Sequence, residues 1–353
     1  MAIPEQQARR KGSPGRGEPH LTLALAGDVM LGRLVNEALN AFGPRYVWGD
    51  TLPLLRRADL TIVNLECVIA GAGQPWQRTP KVFHFRADPP AIESLRLAGV
   101  DGVCLANNHV LDYEVAAFLE MRGRLEAAGI AHAGAGRDLA EAVRPAFLVA
   151  NGIRVAMVAF TDNEPVWAAT PDRPGINYLP ISLAGHHFSR LRQGIAEARA
   201  GADFVLCSAH WGPNMRLRPT PLFRAFARAA LDAGADLYVG HSAHVFQGIE
   251  IYQGKPILYD MGDFVDDYAV DPLLRNDQSL LYLLTVTKEG VREVEALPVL
   301  IDRCRVNLAR GGDFAQIAAR LRDLSAEMGT VLQVIDGRLK VVSQARTTGG
   351  SRG

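Results

Sequence analysis

Asp28, Glu66, Asn108, His109, His210, His241 and His244 each follow a short apolar run, in LALAGD, TIVNLE, VCLANNH, FVLCSAH and LYVGHSAH. Carboxylates, an amide oxygen and imidazoles, with no cysteine among them, suit a first-row divalent ion such as Mn, Fe or Zn rather than a structural thiolate zinc. Such an ion can make a nucleophile from water near neutral pH or polarise a carbonyl or phosphoryl oxygen. Taken singly, an Asp after a strand is an ordinary helix cap and a His an ordinary core or surface residue. The set as a whole is much harder to explain in that way.

For residues so far apart in the chain to meet, the runs before them must be strands of an α/β fold, where ligands collect outside the carboxyl ends of the strands. Apolar, β-branched runs at Leu21–Ala26, Leu60–Leu65, Gly102–Ala106, Ile153–Phe160, Phe204–Ala209 and Leu237–Gly240 fit that demand. Between them, helical patterns lie at Leu34–Ala41, Pro89–Ala98, Val115–Ala128, Leu183–Ala200 and Pro221–Asp232, with Gly99, Gly129 and Gly234 as C-terminal stops. After Gly240 the texture changes. Gly248–Tyr252, Pro256–Leu258, Ser279–Thr287 and Val291–Leu300 succeed one another with turns at Gln253-Gly254 and Glu289-Gly290 and no helix between, which predicts antiparallel pairing. A last helix at Asp313–Met328 and a hairpin at Asp336-Gly337 close the fold. The expected division is a disordered leader (1–20), a main domain (21–302), a helix and hairpin packed on it (303–345) and a disordered tail (346–353).

Composition narrows the function. With 48% apolar and 22% charged residues the chain is globular, and 38 basic against 38 acidic residues give no global field for nucleic acid or an anionic membrane. Cys67, Cys104, Cys207 and Cys304 have no CxxC spacing and read as free thiols, the first three in buried strands. The Leu21–Ala26 run is far shorter than the ~20 residues of a membrane span, so a cytoplasmic location is expected.

The sequence also resembles the bacterial capsule-synthesis proteins associated with poly-gamma-glutamate (CapA type), in the calcineurin-like metallophosphatase superfamily. The marks are GDVMLGR (Gly27 to Arg33), NLE (Asn64 to Glu66), FRADP (Phe85 to Pro89), LANNHVLDY (Leu105 to Tyr113), AGIAHAGAGR (Ala128 to Arg137), HWGPN (His210 to Asn214), GHSAHVFQGIE (Gly240 to Glu250) and GDF (Gly262 to Phe264). They run in order from about Leu21 to at least Tyr268.

The resemblance implies a four-layer α/β/β/α sandwich with a C-terminal antiparallel extension and helix, and one or two divalent ions. It implies Asp28 as the first ligand, Glu66 as a bridging carboxylate, Asn108, His210, His241 and His244 as further ligands, and His109 as general acid. Two departures bear on the ion count. The superfamily's first motif is Asp-x-His, and Met30 stands where the His would be; the last histidine pair is usually split by one residue, but Ser242 and Ala243 separate His241 from His244. One ion or two, Asp28 as ligand or catalytic base, and which of the last two histidines faces the metal all stay open.

Around such a site, Arg33 and Lys81 are candidates to hold a substrate carboxylate or phosphate, or are simply solvated charges. Asp162 and Asn163, after the Ile153–Phe160 run, are candidate substrate contacts or an ordinary turn. Asp263 is expected to orient a ligand histidine from outside the coordination sphere. The function expected is hydrolysis of a phosphoester or a peptide-like, gamma-glutamyl amide of a small-molecule or peptide-like substrate. Alternatives are epimerisation at a peptide Cα and a non-catalytic scaffold in a polymer-forming complex.

Overall fold

A computed structural model describes residues 18–342. The expected leader, apart from residues 18–20, and the expected tail lie outside the described residues.

Two large sheets carry the fold. In the ten-stranded sheet, Leu21–Val29 is flanked on one side by the parallel strands Leu60–Leu65, Gly102–Cys104 and Ala131–Ala133. On its other side the antiparallel Gln278–Thr287 and Gly290–Asp302 follow, then the hairpin Val331–Ile335 with Arg338–Val342. The six-stranded sheet runs in the order Ile249–Tyr252, Lys255–Leu258, Leu237–His241, Phe204–His210, Ile153–Thr161, Ala146–Ala150. Its inner strands are parallel, which explains why FVLCSAH and LYVGH are buried along their whole length rather than on alternate residues.

Alternation along a strand sends successive side chains to opposite faces. Leu21, Leu23 and Leu25 join Val155, Met157, Phe204 and Leu206 of the other sheet in a shared core. Ala24 and Ala26, with Val63 and Leu65, pack instead against Leu95, Phe118 and Leu125 of the helices Ala91–Ala98 and Glu114–Ala127. On the six-stranded sheet, Val205 and Cys207 face Ile195 and Phe226 from the helices Gly185–Gly201 and Pro221–Asp232. The last helix, Gly311–Ala326, sends Ile317, Leu321 and Leu324 into the core between the sheets. No helix among the described residues is long and apolar enough to cross a membrane.

The pairing after Gly240 differs in part from the antiparallel expectation. Lys255–Leu258 folds back on Ile249–Tyr252 through the Gln253-Gly254 turn, as a hairpin should, but then lies parallel to Leu237–His241. The chain next crosses to the other sheet, where Asp263–Val265 pairs in parallel with Leu21–Val29. Three residues are too few to show any periodicity, so this strand leaves no mark in the sequence pattern.

That crossing is tight. Pairing of Leu21–Val29 with Leu60–Leu65 slips by one residue between Ala26 and Asp28, leaving Gly27 as the extra residue of a bulge. A Cβ on Gly27 would stand 1.7 Å from the carbonyl oxygen of Gly262, whereas Asp28 N donates to that same oxygen at 3.0 Å. Gly27→Ala is therefore expected to cost about 3 kcal/mol, the upper range for overpacking. The check is a urea midpoint that falls without a change in slope.

Candidate metal centre

The two sheets contribute different chemistry. Asp28 ends Leu21–Val29, Glu66 follows Leu60–Leu65, Asn108 and His109 follow Gly102–Cys104, and Asp263 opens its short strand, all in the ten-stranded sheet. His210 ends Phe204–His210, His241 ends Leu237–His241 and His244 lies just beyond, all from the six-stranded sheet. Acids and amides thus come from one sheet and the ligand-type imidazoles from the other.

They meet in the interior. Glu66 Oε1 lies 3.3 Å from His210 Nε2, 3.9 Å from His109 Nε2 and 4.0 Å from His244 Nε2. Asp28 Oδ1 is 3.5 Å from His241 Nδ1 and its Oδ2 is 3.4 Å from His244 Nδ1. Asp28, Glu66, His244 and Asp263 each offer a donor atom within 4.8 Å of the other three. Both of the last histidines face the cluster, because the intervening chain takes left-handed turns at Ser242 (φ 101°) and His244 (φ 59°) that absorb the additional residue. Ser242 itself points away and donates to the Gly212 carbonyl.

Electrostatics follow from crowding charges in the buried interior. Burial, helped by the neighbouring Asp28 charge, pushes the Glu66 carboxyl up to about 7. Burial pushes Asp263 up to about 8 and pushes His210 and His241 down to about 4. Asp28 behaves in the opposite way: against the upward push of burial, His244, His241 and His210 hold it below the ordinary carboxylate range. Burial acts likewise to lower His244, but the Asp263 and Glu66 carboxylates outweigh it and raise the imidazole.

His109 belongs to a separate pair. Its Nδ1 is 2.6 Å from Asp112 Oδ2, and its ring stacks on Phe85 with centroids 4.0 Å apart. Burial drives His109 well below its ordinary value and drives Asp112 up to about 7. Both shifts favour an uncharged pair, with one proton between Nδ1 and Oδ2 and another on Nε2, the nitrogen nearest Glu66. The backbone of His109 is fixed by Asn107 Oδ1, which accepts its N–H at 3.0 Å. Asn107 in turn donates to Asn64, and Asn64 donates to Asp28 Oδ1 at 2.7 Å.

Asn64, Asn107, Asp112 and Tyr268, whose hydroxyl donates to Glu66 Oε2 at 3.3 Å, were not singled out from the sequence. For Asn64 a signal existed. An amide inside the apolar run TIVNL must be buried, and buried amides are hydrogen-bonded.

A cavity of about 470 Å³ opens on the cluster and is lined by Asn108, His109, His244, Arg33, Phe83 and Asn214, among others. Arg33 stands at its edge, with Nε 3.2 Å from Asp267 and the guanidinium over the Phe83 and Phe85 rings at 5.8 and 5.5 Å. Lys81 also lines the cavity, yet its side chain is 6% exposed and its ammonium is engaged by Asn108 O at 2.6 Å and by Asp112 and Glu164 at 3.3 Å each. It is a buried, paired charge rather than a solvated one. Asp162 and Asn163 do not line the cavity: Asp162 accepts from Gly212 N at 2.9 Å, and the Asn163 amide lies 3.4 Å from His210 Nδ1.

The donor set fits a divalent ion. Asp28 Oδ2, Asn108 Oδ1, Asp263 Oδ2 and His241 Nδ1 are buried and have no hydrogen-bond partner among the described residues. Buried polar atoms left unpaired in this way are rare. They belong to the group types that hard and borderline cations take.

The family model for the bacterial capsule synthesis protein PGA_cap matches residues 22–268. The "Probable polyglutamine synthesis accessory protein" of Mycobacterium tuberculosis (strain ATCC 25618 / H37Rv) is 33% identical over 382 residues, covering 94% of this chain and 99% of that one. "Capsule biosynthesis protein CapA" of Bacillus anthracis is 30% identical over 288 residues, covering 81% of this chain and 69% of its own. Among solved structures, a hypothetical protein from Thermus thermophilus aligns at 17% identity over 81% of this chain and 96% of that one, with a TM-score of 0.42, too loose to carry an argument. With the family model matched from residue 22 to residue 268, the chain belongs to the bacterial capsule synthesis protein family, PGA_cap.

Proposed function

We propose that the chain is a metal-dependent hydrolase serving capsule or polyglutamate synthesis, built on a four-layer metallophosphatase-type sandwich. It would cleave a phosphoester or a peptide-like, gamma-glutamyl amide. The observation that carries this is the buried set Asp28, Glu66, His210 and His241 joined to the half-buried Asn108 and His244, which open onto a cavity that also presents His109. An inert structural site has no use for an imidazole poised beside it with a carboxyl behind.

Those six residues would hold one or two ions, with Glu66 between the His210 and His244 sides of the cluster. A divalent ion there supplies Lewis acidity and a nucleophile drawn from water near neutral pH. The chain's own residues do the rest. His109 Nε2 gives its proton to the leaving group while Asp112 passes the proton between them onto Nδ1, which leaves one negative charge on Asp112 beside the Lys81 ammonium, 3.3 Å away. Phe85 keeps the imidazole plane fixed from one face, and Lys81 anchors both Asp112 and the Asn108 carbonyl.

Beyond the Nε that meets Asp267, the Arg33 guanidinium nitrogens have no hydrogen-bond partner among the described residues, and these would take a substrate carboxylate or phosphate. Arg33→Ala is accordingly expected to raise KM by roughly tenfold, about 1.4 kcal/mol of binding, and to change kcat far less. Steady-state kinetics on an anionic substrate and its neutral ester would show the difference.

The direct test is to load the protein with Mn, Fe or Zn, determine bound metal, and assay phosphomonoesters, phosphodiesters and gamma-glutamyl amides. Turnover that depends on the ion supports hydrolysis. Protein that carries metal and turns over none of these is a non-catalytic component, and the proposal falls.

A further inference from the structure

We propose that Tyr268 is a positioning residue whose hydroxyl ties off Glu66 Oε2, so that Glu66 meets an ion through Oε1 alone and the site keeps a place open for water. This rests on the metal-centre reading above.

The two oxygens of Glu66 have different surroundings. The imidazoles approach the carboxylate at Oε1: His210, His109 and His244 come by Nε2 to 3.3, 3.9 and 4.0 Å. Among the described residues, Oε2 is met only by the Tyr268 hydroxyl, which donates to it at 3.3 Å. Asp28 shows a similar division. Its Oδ1 accepts from Asn64 Nδ2 at 2.7 Å, and its buried Oδ2 has no hydrogen-bond partner among the described residues. Each of these two carboxylates is thus held by one oxygen and offers the other.

Tyr268 is itself held in place. Its backbone N–H donates to Asp266 Oδ1 at 2.8 Å. Its ring stands edge-on to His244 with centroids 5.1 Å apart and leans on Phe85 at 5.7 Å. Phe85 is the ring that stacks on His109. One side chain therefore touches Glu66, His244 and the support of the general acid, and it lines the cavity. Phenylalanine would make the same ring contacts, and a hydroxyl taken out of water costs free energy unless it is bonded.

A carboxylate that closes on one ion with both oxygens takes a position that water or substrate needs, and catalytic sites keep such a position open. Restrained at Oε2, Glu66 leaves it free.

Infrared difference spectra of the full chain, labelled with carbon-13 in the glutamate side-chain carboxyls, before and after one equivalent of Mn2+, test this. The label separates Glu66 from the aspartates, and Glu66 is the one glutamate among the six residues proposed to hold the ion. Antisymmetric and symmetric carboxylate stretches lie far apart when one oxygen binds and close together when both bind the same ion. The unaltered chain should show the wide spacing. Tyr268→Phe keeps the ring and releases Oε2, so it should show the narrow one.

Calorimetry should find Mn2+ bound by Tyr268→Phe at least as tightly as by the wild type. Its kcat should nevertheless fall by roughly 10- to 100-fold, the scale of losing a group that supports a ligand, with KM little changed. A role in packing alone would move none of these. Narrow spacing in the unaltered chain, equal spacing in the two proteins, or weaker ion binding with undiminished kcat overturns the proposal. The spectrum of the unaltered chain decides even where the variant does not fold. If that chain takes up no ion at all, the metal-centre reading fails and this inference with it; if it binds the ion with narrow spacing, only this inference fails.

Discussion

Glu66→Gln should abolish both ion uptake and turnover while leaving a folded protein that, free of ions, is more stable than the wild type at pH 8. Glu66 Oε1 is the atom that His210, His109 and His244 all approach within 4.0 Å, so no other single group touches as much of the site. Glutamine has nearly the same shape but sets an N–H₂ or a neutral oxygen where a charged ligand is needed. Ion affinity should fall by roughly 100-fold or more, and turnover by roughly 10³-fold or more, the scale of losing a preorganised electrostatic group.

The stability part has a definite sign. Burial lifts the Glu66 carboxyl from its ordinary 4.5 to about 7. A carboxyl raised on folding binds its proton more tightly in the folded state, so the ion-free protein loses stability as pH rises from about 4.5 through 7. Glutamine cannot ionise and removes that loss. Adding Mn2+ should reverse the order, because wild type gains about 2.7 kcal/mol at 100 times Kd and the variant gains little. Melting curves of both proteins at pH 6 and 8, with and without Mn2+, would expose the crossover; parallel behaviour of the two would refute it.

The second large effect is expected at His109. His109→Gln should lower kcat by roughly 10²–10⁴-fold on substrates with poor leaving groups, the usual range for a lost general acid. Bound metal should be unchanged, since His109 is not among the six residues proposed to hold the ion and its Nδ1 is already paired with Asp112. A p-nitrophenyl substrate, whose leaving group needs no proton, should lose much less. An equal loss on both substrates would mean that the imidazole supports structure or binding instead of proton transfer.

Much of this was legible in the sequence because ligand types recur at strand ends. The runs Leu60–Leu65 and Pro221–Asp232 match their elements to the residue, and most other elements agree to within a residue or two. Pro221 at the first helical turn and Thr220, which caps Phe223 N, explain why that helix start is so clear. What could not be read depends on contacts distant in sequence. Asp263 meets Asp28 only through a parallel pair between segments far apart in the chain, and no local pattern encodes it. Lys81 reads as a substrate-holding or a solvated charge until the fold surrounds it with Asp112, Glu164 and the Trp167 ring, 4.8 Å away. That both His241 and His244 reach the cluster could not be read, because spacing says nothing of the left-handed turns between them.

The split of donors, acids on one sheet and imidazoles on the other, also bears on how the protein comes together. Neither sheet alone offers a complete site, so an ion encounters a competent pocket only after the apolar faces led by Leu23 and Phe204 have closed on each other. A bound metal would then act as a late fastener: it could not guide collapse, but it would tie together two layers that must separate when the chain comes apart. Interactions absent from the transition state slow unfolding and leave folding speed nearly untouched. Chelation should therefore shorten the lifetime of the native protein without slowing its formation.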